Sequence, residues 1–508
     1  MEKNKSKKRF LAGLFSVTAA CCTPFLFAGC SENGKVDENA QSVFITGIEK
    51  ATANSDGSTN FIVSYSNGKS SIITLENNNQ TTNTITIDEL FNKYKETNTE
   101  ASFEDFVAKY LSIPKDNRQV INDCLNSCLK IYTEYTTTTI SGDGFFSPYQ
   151  QQKTVSRSCG SGVIYYMQKS ENPDENYSYV ITNYHVIYNM QANEDNNKSS
   201  PSGANKFARR IVGYLYGSED TPTQDTTGTD GYPTYDYGNY GIEFEYIGGS
   251  ITHDIAILKT NTSNLLRING NAKAVEFADN YQVGETAIAI GNPENEGISV
   301  TEGVVSVDNE FIQLSIDNTV RNYRSIRMDT SIYGGSSGGG LFNTEGKLIG
   351  ITNAGNGDDQ NINYAVPVDI VRAVSSNIMR NYHSSNKTTP VTVTKITLGI
   401  TLQDDMQSKY IYDPEEKQCK IVDTSIIESI VENSIAQNNL NLKVGDKIKA
   451  IVINDVTTKF DRYFEIGDAI LYIKANDVIS FVIERENEDG QFEQMTTPSY
   501  TVLPSDLN

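Results

Sequence analysis

Three histidines occur in the 508-residue chain: His185, His253 and His383. Imidazole titrates near neutral pH and can take and return a proton, so each is worth testing as a base. His185 ends a buried-looking strand, Val180-Ile181-Thr182-Asn183-Tyr184-His185-Val186. Further on, Asp254 stands at the mouth of the apolar run Ile255-Ala256-Ile257-Leu258, with His253 just before it. Later still comes Tyr333-Gly334-Gly335-Ser336-Ser337-Gly338-Gly339-Gly340. A serine hydroxyl is a poor nucleophile unless a base removes its proton as it attacks. A buried carboxylate holds the imidazole in the useful tautomer and stabilises the imidazolium. Glycines beside the serine let the backbone turn sharply, so that amide N–H groups face a developing oxyanion. Each feature is weak alone; the order His185, Asp254, Ser337 in one β-rich region is what points to nucleophilic hydrolysis.

The elements that must position these groups are short strands. Runs at 130–135, 162–167, 178–182, 254–259, 286–290, 347–351 and 362–366, separated by turn residues, predict an all-β barrel or sandwich. An amphipathic helix over 368–382 closes this domain, which spans 118–383. Residues 384–391 read as a linker, 392–490 as a second module, and 491–508 as a loose polar tail. Between 191 and 240 lies a long insertion rich in Asn, Asp, Ser, Gly, Thr and Tyr, and a loop of that length is functional or mobile. Upstream, strand-like runs at 42–48, 60–65 and 70–75, with Asn67-Gly68 as a hairpin turn, precede helical segments near 87–97 and 102–112. We read 41–117 as a small β/α spacer or docking module.

The N-terminus is an address. Lys3, Lys5, Lys7, Lys8 and Arg9 precede an apolar run over 10–27, so residues 1–29 read as an export signal. Ser16, Thr18, Thr23 and Pro24 interrupt that run, which argues against a permanent membrane-spanning helix. Residues 30–40 are polar enough to be a flexible tether. Lys and Arg number 42 against 64 Asp and Glu, a net charge of −22, which disfavours nucleic acid as a partner. A hydrophobic content of 38% fits a globular body rather than a polytopic membrane protein. Cys124, Cys128, Cys159 and Cys419 have no metal-pair spacing. Cys124 and Cys128, four apart in a predicted short helix, read as small buried hydrophobes. One disulfide is allowed and none is required. No metal cluster, phosphate loop or cofactor fingerprint is legible, so no cofactor is expected.

Here the motifs carry a resemblance. Gly160-Ser161-Gly162-Val163-Ile164, Thr182-Asn183-Tyr184-His185-Val186 and Asp254-Ile255-Ala256-Ile257-Leu258-Lys259 come first. Ala289-Ile290-Gly291-Asn292-Pro293, Gly303-Val304-Val305-Ser306, Asp329-Thr330, Gly335-Ser336-Ser337-Gly338-Gly339, Leu348-Ile349-Gly350-Ile351 and Tyr364-Ala365-Val366-Pro367 follow. In this order they resemble the trypsin-like domain of HtrA (DegP/DegS-type) serine proteases, over about residues 120–382. The resemblance implies a double β-barrel, with Ser337 as nucleophile, His185 as general base, Asp254 as orienting acid, and the amides of Gly335 and Ser337 as oxyanion hole. It implies Ser331 at the base of the specificity pocket, and Ile351, Thr352 and Asn353 pairing with an extended substrate. An uncharged Ser331 argues against a strict Lys or Arg preference, and the resemblance implies cleavage after small or medium apolar residues in unfolded or extended chains. Ser336 stands where the family usually has Asn, and Tyr333-Gly334 where it often has Asn-Pro.

Two further resemblances extend the reading. Leu398-Gly399-Ile400-Thr401-Leu402 and Leu442-Lys443-Val444-Gly445-Asp446-Lys447-Ile448 resemble a PDZ domain, which implies that Leu398, Gly399 and Ile400 receive a peptide C-terminus. Leu26-Phe27-Ala28-Gly29-Cys30 resembles a bacterial lipoprotein box, which implies a lipidated Cys30 and an extracytoplasmic, membrane-anchored protein. A homotrimer is what the family resemblance implies. Gly335-Ser336-Ser337-Gly338-Gly339 also satisfies the G-x-S-x-G of α/β-hydrolases, but there the acid and histidine follow the serine, and here they precede it. The rival that stays open is a protease-fold binding protein that is silent or latent.

Overall fold

The computed structural model describes residues 45–53, 59–65, 70–75, 91–92, 95, 117–141, 150–192 without 169 and 171–174, 206–356 without 230, and 359–508 without 388, 405–407 and 415–417. The export signal, Cys30, the tether and nearly all of the helical segments predicted at 87–97 and 102–112 lie outside them. The chain divides into two units, residues 1–111 and 112–508. In the first, β1 (Ile45–Ala53), β2 (Thr59–Tyr65) and β3 (Ser70–Leu75) form an antiparallel meander.

The second unit opens with α1 (Asn117–Leu125), then β4 (Cys128–Ser141), β5 (Gln150–Met167), β6 (Tyr177–Thr182) and the one-turn α2 (Tyr184–Ile187). Next come β7 (Arg210–Leu215), β8 (Thr223–Thr227), β9 (Pro233–Asp236), β10 (Ile242–Ser250), β11 (Ile255–Asn261) and α3 (Thr262–Ile268). The order β11-β6-β5-β4-β7-β10, with β10 pairing back onto β11, closes a first barrel. A second closed barrel, β12-β13-β14-β17-β16-β15, is made by β12 (Thr286–Gly291), β13 (Ser299–Ser315), β14 (Val320–Met328), β15 (Gly340–Phe342), β16 (Leu348–Asn356) and β17 (Asp359–Pro367).

Strand alternation explains why these strands read as unbroken apolar runs. Ile164, Val180, Ala256 and Leu258 fill the first barrel, and Ala287, Ala289, Ile349 and Ala365 fill the second. Their neighbours Val163, Ile181, Ile255, Ile257, Ile288, Ile290 and Ile351 meet in a third core between the barrels. Both faces of strands such as Ile255–Asn261 and Thr286–Gly291 are therefore buried along most of their length, and these show no polar face. The helix α4 (Val368–Ser384) packs Val371, Val374 and Ile378 into that shared core.

Three expectations need correction. The 191–240 stretch is not only loop: β7 is an interior strand of the first barrel, and Ala192 and Phe207 reach its core. Its polar part makes the β8–β9 hairpin, fixed by Arg157 stacked 4.3 Å from the Tyr235 ring and Arg210 4.7 Å from Tyr237. Beneath it, buried Glu134 accepts from Arg209 at 3.1 Å and from the Tyr237 hydroxyl at 2.9 Å. Cys128 opens β4 instead of sharing a helix with Cys124, although both are buried and neither forms a disulfide, and burial pushes the Cys128 thiol up.

The third correction concerns the C-terminus. After β18 (Val391–Thr392), which pairs with β10, come β19 (Ile400–Asp404), the hairpin of β20 (Lys409–Asp413) and β21 (Gln418–Val422), β22 (Ser425–Ile430) and α5 (Ile435–Asn438). Then follow β23 (Lys447–Ile453), β24 (Val456–Lys459), α6 (Glu465–Ala469), β25 (Val478–Glu486), β26 (Phe492–Thr496) and β27 (Tyr500–Thr501). The main sheet runs β19-β22-β23-β25-β26, so residues 491–508 are not a loose tail. Val502 is fully buried and Leu507 bridges to Ile396. β26 looked like tail because an exposed edge strand needs only backbone pairing, not an apolar face. The module leans on the second barrel through buried Arg324, which pairs with Asp369 at 2.7 Å and with Asp468, and whose guanidinium lies 4.2 Å from the Phe464 ring.

Candidate active site

The site lies where the two barrels meet. β6 ends at Thr182, and His185 sits in the following helical turn α2 rather than at the strand end. Asp254 closes the turn before β11 with φ +53°, a conformation that strains a residue with a side chain. Asn183 holds that turn, its Nδ2 donating to the Asp254 carbonyl at 2.9 Å. The fully buried Asp254 carboxylate accepts from the His185 backbone N–H on Oδ1 at 3.0 Å and meets His185 Nδ1 with Oδ2 at 2.8 Å. A carboxylate only accepts, so Nδ1 carries the proton and Nε2 keeps a lone pair. Burial opposes the imidazolium of His185, but the Asp254 charge and hydrogen bond outweigh it, and its pKa is raised above the ordinary histidine value.

Ser337 comes from the other barrel, in the turn before β15. Glycine in β5 lets the parts close up: a Cβ on Gly160 would lie 2.6 Å from the Val186 side chain and 3.3 Å from the Ser337 carbonyl. The Ser337 hydroxyl donates to the Asn353 carbonyl at 2.9 Å instead of turning to His185. Asn353 is free to accept because it is the bulged residue between the Thr352 and Ala354 pairings of β16 with β17.

The carbonyls around Ser337 are all pinned. Gly334 O accepts from Glu294 N at 2.6 Å, Gly335 O from Ser161 Oγ at 2.9 Å, and Ser336 O from Thr352 Oγ1 at 2.6 Å. In a trans peptide the N–H points opposite its carbonyl, so the Gly335 and Ser337 amides face away from those partners. Gly335 has φ +98°, and a Cβ there would meet the Asn292 carbonyl at 2.3 Å, which only glycine avoids.

The other expected residues are distributed as follows. Half-buried Ser331 gives its carbonyl to Thr301 Oγ1 at 2.7 Å. A Cβ on Gly355 would come within 3.5 Å of the Ile332 carbonyl, so 331–332 and 353–355 face each other near Ser337. Ile351, Thr352 and Asn353 are buried in β16. Leu398 is buried, Gly399 has φ +78°, and Ile400 opens β19 at the edge of its sheet. His253 binds Ser250 Oγ at 2.7 Å, and burial with Lys395 and Arg324 nearby drives its pKa down to about 4. His383 is exposed in the last turn of α4. Among the described residues no group of three or more His, Cys, Asp or Glu side chains could hold a metal ion. Sequence reasoning quoted Ser161 and Asn292 as motif residues without seeing their contacts, and missed the partner role of Asn353.

Comparison with known proteins finds serine proteases. Residues 160–351 match the trypsin-like peptidase domain family. The serine protease Do-like HtrA of Lactococcus lactis subsp. lactis (strain IL1403) is 26% identical over 366 residues, 69% of this chain and 74% of that protein. Serine endoprotease DegS of Haemophilus influenzae (strain ATCC 51907 / DSM 11121 / KW20 / Rd) is 35% identical over 145 residues, 28% of this chain but only 40% of that one. A solved structure of the HtrA-type protease AlgW with decapeptide aligns over 77% of this chain and 99% of its own, at 20% identity and a TM-score of 0.43. The chain is a serine-type endopeptidase with a trypsin-like domain. The matches support a place among the HtrA/DegP-like trypsin-like serine proteases.

Proposed function

We propose that the protein is a membrane-tethered, extracytoplasmic endopeptidase that cuts unfolded or misfolded polypeptides through Ser337, His185 and Asp254. The observation that carries this reading is the His185–Asp254 pair, joined by two hydrogen bonds at 2.8 Å and 3.0 Å, with the neighbouring Val186 and the Ser337 carbonyl both packed against Gly160. In the proposed reaction the Ser337 hydroxyl turns from Asn353 to His185 Nε2 and gives up its proton as Oγ attacks the scissile carbonyl. The Gly335 and Ser337 N–H groups take the oxyanion, and the imidazolium returns the proton to the departing amine. Water then attacks the acyl-enzyme by the same route. An extended substrate adds as a strand beside Ile351, Thr352 and Asn353, with its side chain toward Ser331. The PDZ-like module offers edge strand β19, beginning at Ile400, to a peptide C-terminus. Lipidated Cys30 supplies the tether, and a homotrimer is the assembly expected.

Latency is favoured by one observation, the Ser337 hydroxyl bonded to Asn353 and not to His185. Digestion of casein by the full chain, beside Ser337→Ala, separates the readings. We expect cleavage by the parent and a loss of about 10³-fold or more in the variant. Equal cleavage by both would sink the assignment of Ser337, and no cleavage by either would leave the latent form as the correct reading.

A further inference from the structure

We propose that Ser161, in the first barrel, is a positioning residue that fixes the angle between the two oxyanion donors of the second. The inference rests on the reading above and adds a residue to it. The Gly335 and Ser337 amides belong to two peptide units separated by one, the peptide joining Gly335 to Ser336. Orientation of that middle peptide therefore sets how the two donors converge.

Both of its ends are held. Its N–H, on Ser336, donates to the Tyr333 carbonyl at 2.9 Å, and its C=O, on Gly335, accepts from the Ser161 hydroxyl at 2.9 Å. The first bond is internal to the loop and moves with it. The Ser161 bond is external, 174 residues away in sequence and anchored in β5. The anchor is firm: Ser161 is 1% exposed, its backbone N–H donates to the Ser337 carbonyl at 2.8 Å, and its carbonyl accepts from Thr182 Oγ1 at 2.7 Å.

The same hydroxyl also accepts from the Asn292 N–H at 2.8 Å. Asn292 heads the loop whose Glu294 N–H holds the Gly334 carbonyl, the far side of the Gly335 donor peptide. A hydroxyl has one proton and two lone pairs, so it can donate to one backbone and accept from another at once. An alanine can do neither, and would leave the buried Asn292 N–H and the Gly335 carbonyl without that partner. Gly335 itself cannot resist the resulting rotation, because it has no side chain to restrict its dihedrals.

The test is steady-state cleavage of fluorescently labelled casein by the full-length protein and by Ser161→Ala, Ser161→Thr and Ser161→Val. Threonine and valine share a shape and differ by the hydroxyl, so packing damage is common to both. Removing a direct oxyanion donor costs about 10²–10³ in kcat, so losing its support should cost roughly tenfold or more in Ala and Val. KM and the pH midpoint set by His185 should stay put, and Thr should recover most of the rate relative to Val. Equal kcat for Thr and Val, or a parent-like kcat for Ala, would overturn the proposal alone. Cleavage that survives Ser337→Ala in the same assay would overturn the underlying reading, and this proposal with it.

Discussion

The two barrels hold their halves of the site by different means. In the first, the proposed acid–base pair is held within the barrel's own fold: Asp254 is buried in a turn with positive φ, and His185 meets it through both backbone and ring. In the second, Ser337, the proposed nucleophile, stands on a glycine-rich loop, and that loop is held largely from outside, by Ser161 of the first barrel and by Glu294 and Thr352 of the second. The cores differ in size. The first gathers Leu129, Ile131, Ile164, Leu258 and many others, whereas the second is a smaller cluster in which Ala287, Ala289 and Ala365 pack with Val305, Ile326, Met328, Leu341 and Ile349. Acid–base chemistry needs one exact pair distance, which a single barrel can supply. Oxyanion binding needs several amides to converge, which the loop alone does not enforce.

The comparison breaks most severely at the acid. Asp254→Asn removes the carboxylate that sets the tautomer and raises the His185 pKa, and the triad template puts the cost at about 10⁴ in kcat. The base must be neutral to act, so activity rises with pH through the His185 pKa. Without Asp254 the raising influence is gone, and the acid limb of kcat/KM should move to lower pH. A pH–rate profile of the residual activity checks both; an unmoved limb would detach Asp254 from His185.

On the other side, Gly335→Ala attacks geometry and not acid–base chemistry. Its Cβ would collide with the Asn292 carbonyl at 2.3 Å in a backbone conformation that side chains rarely adopt. The loop must shift, and kcat should fall by about 10²–10³ with the pH midpoint unchanged. Steady-state kinetics across pH distinguishes this from the Asp254 variant: one lowers the profile, the other lowers and displaces it.

That division also marks what sequence could reveal. The pairing of His185 with Asp254 was legible because side-chain identity is what such chemistry demands, and the glycines around Ser337 announced a special backbone. Strands such as Ile255–Asn261 were legible from burial on both faces. Ser161 and Asn353 were not read as contacts, because one acts through a hydroxyl on a distant carbonyl and the other through its own backbone oxygen at a bulge. The strand Arg210–Leu215 was hidden inside a polar stretch because its neighbours form an exposed hairpin, and Phe492–Thr496 because edge pairing leaves no apolar signature.

The smallest effect sharpens the comparison within one turn of chain. His253 and Asp254 are adjacent, yet His253 takes no part in the pair and responds to its surroundings in the opposite sense from His185. Burial and the nearby Lys395 and Arg324 cations lower its pKa from 6.5 to about 4. The unfolded chain therefore binds a proton at His253 near pH 6.5 that the folded chain refuses until about pH 4. Stability from this group is complete above pH 6.5 and is lost as pH falls toward 4, by up to about 3 kcal/mol at 1.36 kcal/mol per pH unit. His185, with a raised pKa, works the other way: its contribution is present below its unfolded pKa and is lost as pH rises through the folded one. Replacing His253 by Asn, which cannot titrate, should flatten the acid side of the stability curve while leaving cleavage near pH 8 unchanged. Urea unfolding at pH 7.5, 6.0 and 4.5 measures this. Parallel curves for parent and variant would mean that His253 accepts its proton in the folded state as readily as in the unfolded one, and that the buried turn around Asp254 admits charge on both sides.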